Sequence, residues 1–252
     1  VTAHLTDPSL WIRRFHPSED ARARLVCLPH AGGSAPFYFP VSKALAPEVD
    51  VLSVQYPGRQ DRRAESCIEN LPDLAEAVAD QVLAWADRPL ALFGHSMGAT
   101  LGFEVALRLE QKGVIPLVLF ASGRRAPCRH REESVHLRDD DGMIEELRSL
   151  NGTGAQVFGD EELMRMVLPA IRSDYKAAET YRYTDGPRLA APVHAHTGTD
   201  DPKASVDEVG SWAEHTEGEF ELHTYSGGHF YLNDHAPQVI ASVSRTIASL
   251  LP

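Results

Sequence analysis

A chain of 252 residues can bury one sizeable core, and at 43% hydrophobic and 24% charged it is not disordered throughout. A formal charge of -12 with no basic stripe argues against a protein that grips the phosphate backbone of nucleic acid. Cys27, Cys67 and Cys128 are scattered and unspaced for metal, residues 1–14 lack a basic cluster followed by an apolar run, and no stretch reaches the roughly 18 apolar residues of a membrane span, so a cytoplasmic protein without disulfide framework, zinc site or membrane segment is expected.

Short apolar runs bounded by Gly or Pro alternate with stretches of helical period, the pattern of βα units around a mostly parallel sheet. In chain order, a strand at 24–28, a helix at 37–45 and a strand at 49–54 come first. A helix at 71–85 leads to a strand at 90–93, a helix at 99–112 stopped by Gly113, and a strand at 117–121. Strands at 193–197 and 220–225 follow, with helices near 206–214 and 238–250. Between Gly123 and Ala191 lies far more chain than the roughly dozen residues a parallel crossover needs. Residues 139–150, 160–171 and 173–182 have helical spacing there, with a Gly-rich break at 151–154. A single domain over residues 1–252 is therefore expected, with a helical lid inserted at 124–190. No repeat of fixed period and no low-complexity tract interrupts it.

Gly94-His95-Ser96-Met97-Gly98 matches G-x-S-x-G and falls between a strand and a helix, where a strained turn can lift a serine hydroxyl clear of the sheet. Small residues are needed two positions to either side, and Gly94 and Gly98 meet that need. The helix that follows aims its first amides at Ser96, so the Met97 N–H is a candidate oxyanion donor. A serine hydroxyl needs a base to take its proton and an acid to orient that base. Of twelve histidines, His229 follows a late strand in a Gly-Gly-His-Phe loop, where two glycines leave it free to swing toward Ser96. His30 and His95 lie in motif loops and read as structural, while His194, His196, His215, His223 and His235 read as strand, helix or surface residues. The acid is expected after the strand at 193–197, in Gly198-Thr199-Asp200-Asp201-Pro202, where G-x-x-D spacing favours Asp201 and a register slip would substitute Asp200. The loop Leu28-Pro29-His30-Ala31-Gly32-Gly33 is placed to offer a second oxyanion donor, the Ala31 N–H.

Together with Gln55-Tyr56-Pro57-Gly58-Arg59, these segments resemble, in order and over almost the whole chain, the type II thioesterases of polyketide and nonribosomal peptide assembly lines. The serine turn by itself fits many hydrolases, whereas its combination with Tyr-Pro-Gly-Arg is far more specific. The resemblance implies an α/β-hydrolase fold and hydrolysis of stalled or misprimed acyl groups from the phosphopantetheine thiol of acyl or peptidyl carrier proteins. It also implies that Ser96 is acylated, His229 acts as base and then acid, Asp201 holds His229, and the Met97 and Ala31 amides form the oxyanion hole. No metal or bound cofactor is required, and a monomer is expected.

Met143, Met164 and Met166 fall in the lid, either as flexible walls for varied acyl chains or as filling for the lid's own core. Arg59, Arg62 and Arg63 either help dock an acidic carrier protein or face water as a solvated loop, the second being favoured. Rival readings are an esterase of free small-molecule esters, a cyclising thioesterase or acyltransferase cut from a larger synthase, and a non-catalytic binding protein on a hydrolase scaffold. The independent-looking start and the Pro252 end weigh against the cut domain. A fluorophosphonate that fails to label Ser96 would favour the binding protein.

Overall fold

The structure, a computed structural model, describes residues 8–150 and 161–251. Its strands are β1 (Ile12–Arg13), β2 (Ala23–Leu28), β3 (Val49–Val54), β4 (Leu90–His95), β5 (Leu119–Ser122), β6 (Val193–Gly198) and β7 (Phe220–Tyr225). The α-helices are α1 (Pro8–Trp11), α2 (Phe39–Leu45), α3 (Leu71–Leu83), α4 (Met97–Gln111), α5 (Asp140–Ser149), α6 (Glu161–Thr180), α7 (Val206–Gly210), α8 (Tyr231–Asp234) and α9 (Ala236–Leu250). The strands form one sheet in the order β1-β3-β2-β4-β5-β6-β7, parallel throughout except for β1, whose Ile12 pairs antiparallel with Val54 of β3.

Strands β2 to β6 are buried along their whole length, as expected of a parallel sheet covered on both faces. The period of two sorts their side chains. Leu25, Cys27, Val51, Ala91 and Phe93 pack with Val239, Val243 and Ile247 of α9 on one face. Val26, Leu28, Leu52 and Leu92 pack with α3 and α4 on the other. Local chemistry sets the helix ends. The Asn70 side chain caps α3 by accepting from the Asp73 amide at 3.0 Å, Gly113 takes φ +82 just beyond α4, and Ser205 and Glu208 form a reciprocal cap on α7.

Several expected boundaries move. α4 starts at Met97 rather than residue 99, so the turn at Ser96 passes straight into helix. β5 starts at Leu119 rather than 117, and the helix expected at 206–214 is α7 followed by a 3₁₀ turn, Ser211–His215. Edge strand β1 and the one-turn helices α1 and α8 are too short to leave a periodic signal.

Between β5 and β6 the chain forms a 3₁₀ turn at Val135–Leu137, then α5 and α6. Two helices were expected over residues 160–182; the structure has one, running through Pro169. A proline inside a helix costs a backbone hydrogen bond. Met164, Leu168 and Ile171 nevertheless pack with Val135 and Met143 into a separate small core, which holds the helix together across that gap. The Gly-rich break at 151–154 lies outside the described residues. Among the described residues no helix is long and apolar enough to cross a membrane.

Candidate active site

Ser96 sits between the end of β4 and the start of α4 with φ +56 and ψ -120, a left-handed backbone that costs a non-glycine residue about 1–3 kcal/mol. The Ser96 amide donates to the Ser122 carbonyl at 2.8 Å, tying the turn to the end of β5. The flanking glycines are dictated by close approach. A Cβ on Gly94 would stand 1.9 Å from the Gly98 carbonyl oxygen, and one on Gly98 would stand 2.1 Å from that of Leu28. Met97 is the first residue of α4, so its N–H has no acceptor within the helix.

His229 Nε2 lies 3.0 Å from Ser96 Oγ, and His229 Nδ1 lies 3.0 and 2.9 Å from the two carboxylate oxygens of Asp201. Both partners of this pair are buried, while Ser96 keeps partial access to solvent. Asp201 Oδ1 also accepts from the Lys203 amide at 2.8 Å. Asp200 is exposed, and its carboxylate accepts only from the neighbouring Thr199 hydroxyl, at 3.1 Å, among the hydrogen bonds seen. The loops that carry the acid and the imidazole are zipped together. Thr199 N donates to Tyr225 O at 2.8 Å and Asp200 N to Gly227 O at 2.9 Å, while a Cβ on Gly198 would come within 2.3 Å of Gly227 O. Gly198 is the glycine that lets the two loops touch, Gly227 takes φ +112 ahead of His229, and the imidazole stands within hydrogen-bond distance of both Asp201 and Ser96.

His95 and His30 line the back of this chain of hydrogen bonds. His95 Nδ1 is 2.9 Å from Ser122 Oγ, which is 2.7 Å from the Tyr231 hydroxyl. Burial, followed by the neighbouring His229 and His30, holds the His95 pKa well below its ordinary value. Burial and then the nearby His229 and Arg59 push His30 down to about 3. Both rings are thus neutral near pH 7, which keeps added positive charge away from His229.

Ser96 and His229 open into a cavity of about 330 Å³ that is also lined by Ala31 and Met97 and by Leu147, Met164, Val167 and Ile171 of the β5–β6 segment. The methionines divide: Met143 is fully buried in that segment's core, Met164 belongs to both core and cavity wall, and Met166 is 64% exposed. His30 accepts from the Gly33 amide at 2.8 Å, forming the turn that presents Ala31.

Arg59 and Arg62 correct both sequence readings, since neither faces water or a partner. Arg59 is buried against Asp174 of α6, with Nη1 to Oδ2 at 2.5 Å and Nη2 to Oδ1 at 2.8 Å. Asp174 Oδ2 also accepts from the Gly32 amide at 2.7 Å, and Arg59 donates to the Gly33 carbonyl at 3.1 Å. Burial alone would lower the Arg59 pKa, but Asp174 outweighs it and raises the net value. Arg62 lies over the Trp11 ring, 4.1 Å from its centroid, and donates to the Gln55 carbonyl at 2.7 Å; of the three, Arg63 alone is exposed. Asp174 is the site residue that sequence reading missed. Nothing in the helical pattern around it marks an acid whose partner lies 115 residues away.

Among the described residues, one His/Glu cluster has spacing for a metal: His194, Glu221 and His223, within 4.8 Å of one another. It lies toward the start of β6 and on β7, at the opposite end of β6 from the Asp201 loop, and contributes no wall to the cavity.

A thioesterase-domain family matches residues 23–247. The chain is 52% identical over 237 residues to a probable cadicidin biosynthesis thioesterase of Streptomyces griseus, covering 94% of this chain and 66% of that protein, so it spans about two thirds of that relative's length. It is 53% identical over 240 residues to thioesterase PikA5 of Streptomyces venezuelae, covering 94% of this chain and 85% of that protein. Among solved structures, the type II thioesterase BorB of the borrelidin biosynthetic cluster superposes with a TM-score of 0.90 at 52% identity, over 96% of this chain and 99% of that one. The sheet order, the serine turn at the end of β4 and these likenesses are those of an α/β-hydrolase fold. The matched stretch takes in β2 to β7 together with Ser96, Asp201 and His229, and the chain accordingly belongs to the thioesterase family, the hydrolases of acyl thioesters.

Proposed function

We propose that this chain is a type II thioesterase that hydrolyses stalled or aberrant acyl groups from the phosphopantetheine arm of carrier proteins in polyketide or nonribosomal peptide synthesis. The observation that carries the reading is the unbroken chain from Asp201 through His229 to Ser96 Oγ, with links of 2.9 and 3.0 Å, opening on a mainly apolar chamber. The reading is supported by a relative named as a probable cadicidin biosynthesis thioesterase and by the likeness to BorB, a type II thioesterase from the borrelidin biosynthetic cluster.

In the mechanism, Ser96 Oγ adds to the thioester carbonyl carbon while His229 Nε2 takes the hydroxyl proton. Asp201 accepts a hydrogen bond from Nδ1 and stabilises the imidazolium. The Met97 and Ala31 amides donate to the oxyanion. Collapse breaks the carbon–sulfur bond, the imidazolium returns its proton to the departing thiol, and Ser96 is left acylated. Water then repeats the sequence: His229 removes its proton, the carboxylic acid forms, and the proton returns to Ser96. A thiol leaves more readily than an amine, so this triad with two amide donors suffices. Residues 124–190 act as a lid that shelters the acyl group within a single domain.

The test is hydrolysis of a panel of acyl-carrier thioesters beside matched oxygen esters. Thioester preference is expected, together with loss of turnover in Ser96→Ala and labelling of the wild type by a fluorophosphonate. Faster cleavage of free oxygen esters, with indifference to the carrier, would make the protein an esterase. An unlabelled Ser96 would make it a binding protein.

A further inference from the structure

At its β6–β7 edge the sheet changes character. On the face that α9 covers, Phe93 of β4 and Phe120 of β5 continue the apolar core, but β6 places His194 and His196 there and β7 places Glu221 and His223. His194 pairs in register with Glu221, and His196 with His223, so the period of two brings polar side chains together on one face of adjacent strands. Their polar atoms converge. Glu221 Oε2 lies 3.5 Å from His194 Nδ1 and 3.1 Å from His223 Nε2, and atoms able to bind a metal on these three residues all fall within 4.8 Å of one another.

The spacing suits zinc. Ligands held about 2.0–2.1 Å from a tetrahedral Zn²⁺ stand about 3.3–3.4 Å from one another, and both distances to Glu221 lie within a few tenths of an ångström of that. The approach of His223 is not a hydrogen bond: its Nε2 is shut off from solvent and has no partner of hydrogen-bonding geometry, although a carboxylate oxygen stands 3.1 Å away. Burying such an atom is costly unless something else takes it up. The rings are also held in place. The fully buried His196 stacks on His223 with centroids 4.5 Å apart and planes at 22°. Thr246 Oγ1 of α9 stands 3.5 Å from His194 Nδ1, too far to compete with a metal bond. Glu221 is half exposed, which leaves an ion a way in from solvent.

We propose that His194 Nδ1, Glu221 Oε2 and His223 Nε2 bind a divalent first-row transition-metal ion, Zn²⁺ above all, with water in the fourth position. Two imidazoles and a carboxylate suit such an ion, whereas Mg²⁺ and Ca²⁺ take oxygen ligands. Cysteine spacing predicts no zinc site, and no cysteine takes part in this one. The ion joins edge strand β7 to β6. About 13 Å further along β6, at the ordinary rise of a strand, the chain reaches Gly198 and the Asp201 loop, and β7 likewise leads into the loop of His229. The site is a clasp on the strands that carry the acid and the base, and it shares no residue with the triad.

Metal uptake by the whole chain after treatment with a chelator tests this. One equivalent of Co²⁺ is expected to give the visible absorption of a four-coordinate ion with no thiolate charge-transfer band, which sets these ligands apart from Cys67 and Cys128. Zn²⁺ is expected to displace the Co²⁺ and to raise Tm as its concentration increases, while Mg²⁺ and Ca²⁺ leave Tm unchanged. In His223→Gln the affinity for Zn²⁺ is expected to fall by about 100-fold or more, since losing a ligand costs more than losing an outer partner. If His223→Gln does not fold, Glu221→Gln, at a half-exposed position, gives the same reading. A wild type that takes up neither ion, a thiolate band in the Co²⁺ spectrum, or a Zn²⁺ affinity and Tm shift that both variants keep in full would overturn the proposal.

Discussion

Asp200 and Asp201 are adjacent in the chain, yet their surroundings differ in every respect that matters to an acid beside an imidazole. The Asp201 side chain is shut off from solvent and spans both carboxylate oxygens across His229 Nδ1, whereas Asp200 points outward to Thr199. Asp201→Asn keeps the shape but offers an amide where the ring needs a carboxylate, so kcat is expected to fall by roughly 10⁴-fold. Asp200→Asn is expected to leave kcat close to that of the wild type. Steady-state kinetics on one acyl-carrier thioester checks the pair, and equal losses in the two variants would show that the assignment of the acid is wrong.

Three segments meet at the Arg59–Asp174 pair: α6, the loop after β3 and the loop after β2. Asp174 holds the Gly32 amide as well as the guanidinium, and Gly32, at φ +76, leaves room for Ile171 of α6, which a Cβ there would approach to 2.7 Å. The loop that presents the Ala31 amide is therefore fastened to the helix that covers the chamber. Asp174→Ala strands a buried cation and is expected to cost about 3–5 kcal/mol, read from the denaturant midpoint. Replacing both partners, Arg59→Met with Asp174→Leu, is expected to recover most of that stability while kcat stays low, since Gly32 has lost its acceptor. A double variant with wild-type kcat would show that the loop keeps its geometry without the clamp.

Across the whole molecule, burial leaves several histidines neutral. His30, His95 and His196 all have pKa values held below the ordinary value, first by desolvation and then by neighbouring histidines. A histidine that binds a proton when unfolded but not when folded makes stability rise with pH. Its contribution is intact above about 6.5 and is lost as pH falls below that value, by up to about 1.4 kcal/mol per pH unit for each ring. Glu133, lowered to about 2 because pairing with Arg125 and Lys203 outweighs its desolvation, adds to the loss once pH drops below about 4.5. Thermal melting followed from pH 8 to pH 5 is expected to show Tm falling below pH 6.5, with a shallower slope in His196→Gln. A flat Tm over that range would mean that these rings are protonated inside the folded protein.

Strand order in sequence, the serine turn and the loops bearing Asp201 and His229 were legible from residues alone, because their causes are local. A period of two needs only a strand's own side chains, and Gly94 answers to a clash with Gly98 four residues on, although Gly98 itself answers to Leu28 of distant β2. Folding decided the rest. Whether Arg59 and Arg62 face water, whether α6 survives Pro169, and which acid fastens the Ala31 loop all depend on side chains delivered from distant segments. Hydrophobic period and backbone sterics are written within a few residues of one another. The pairing and burial of a charge belong to whatever the tertiary fold sets beside it, and that is fixed only when the sheet and its covering helices close.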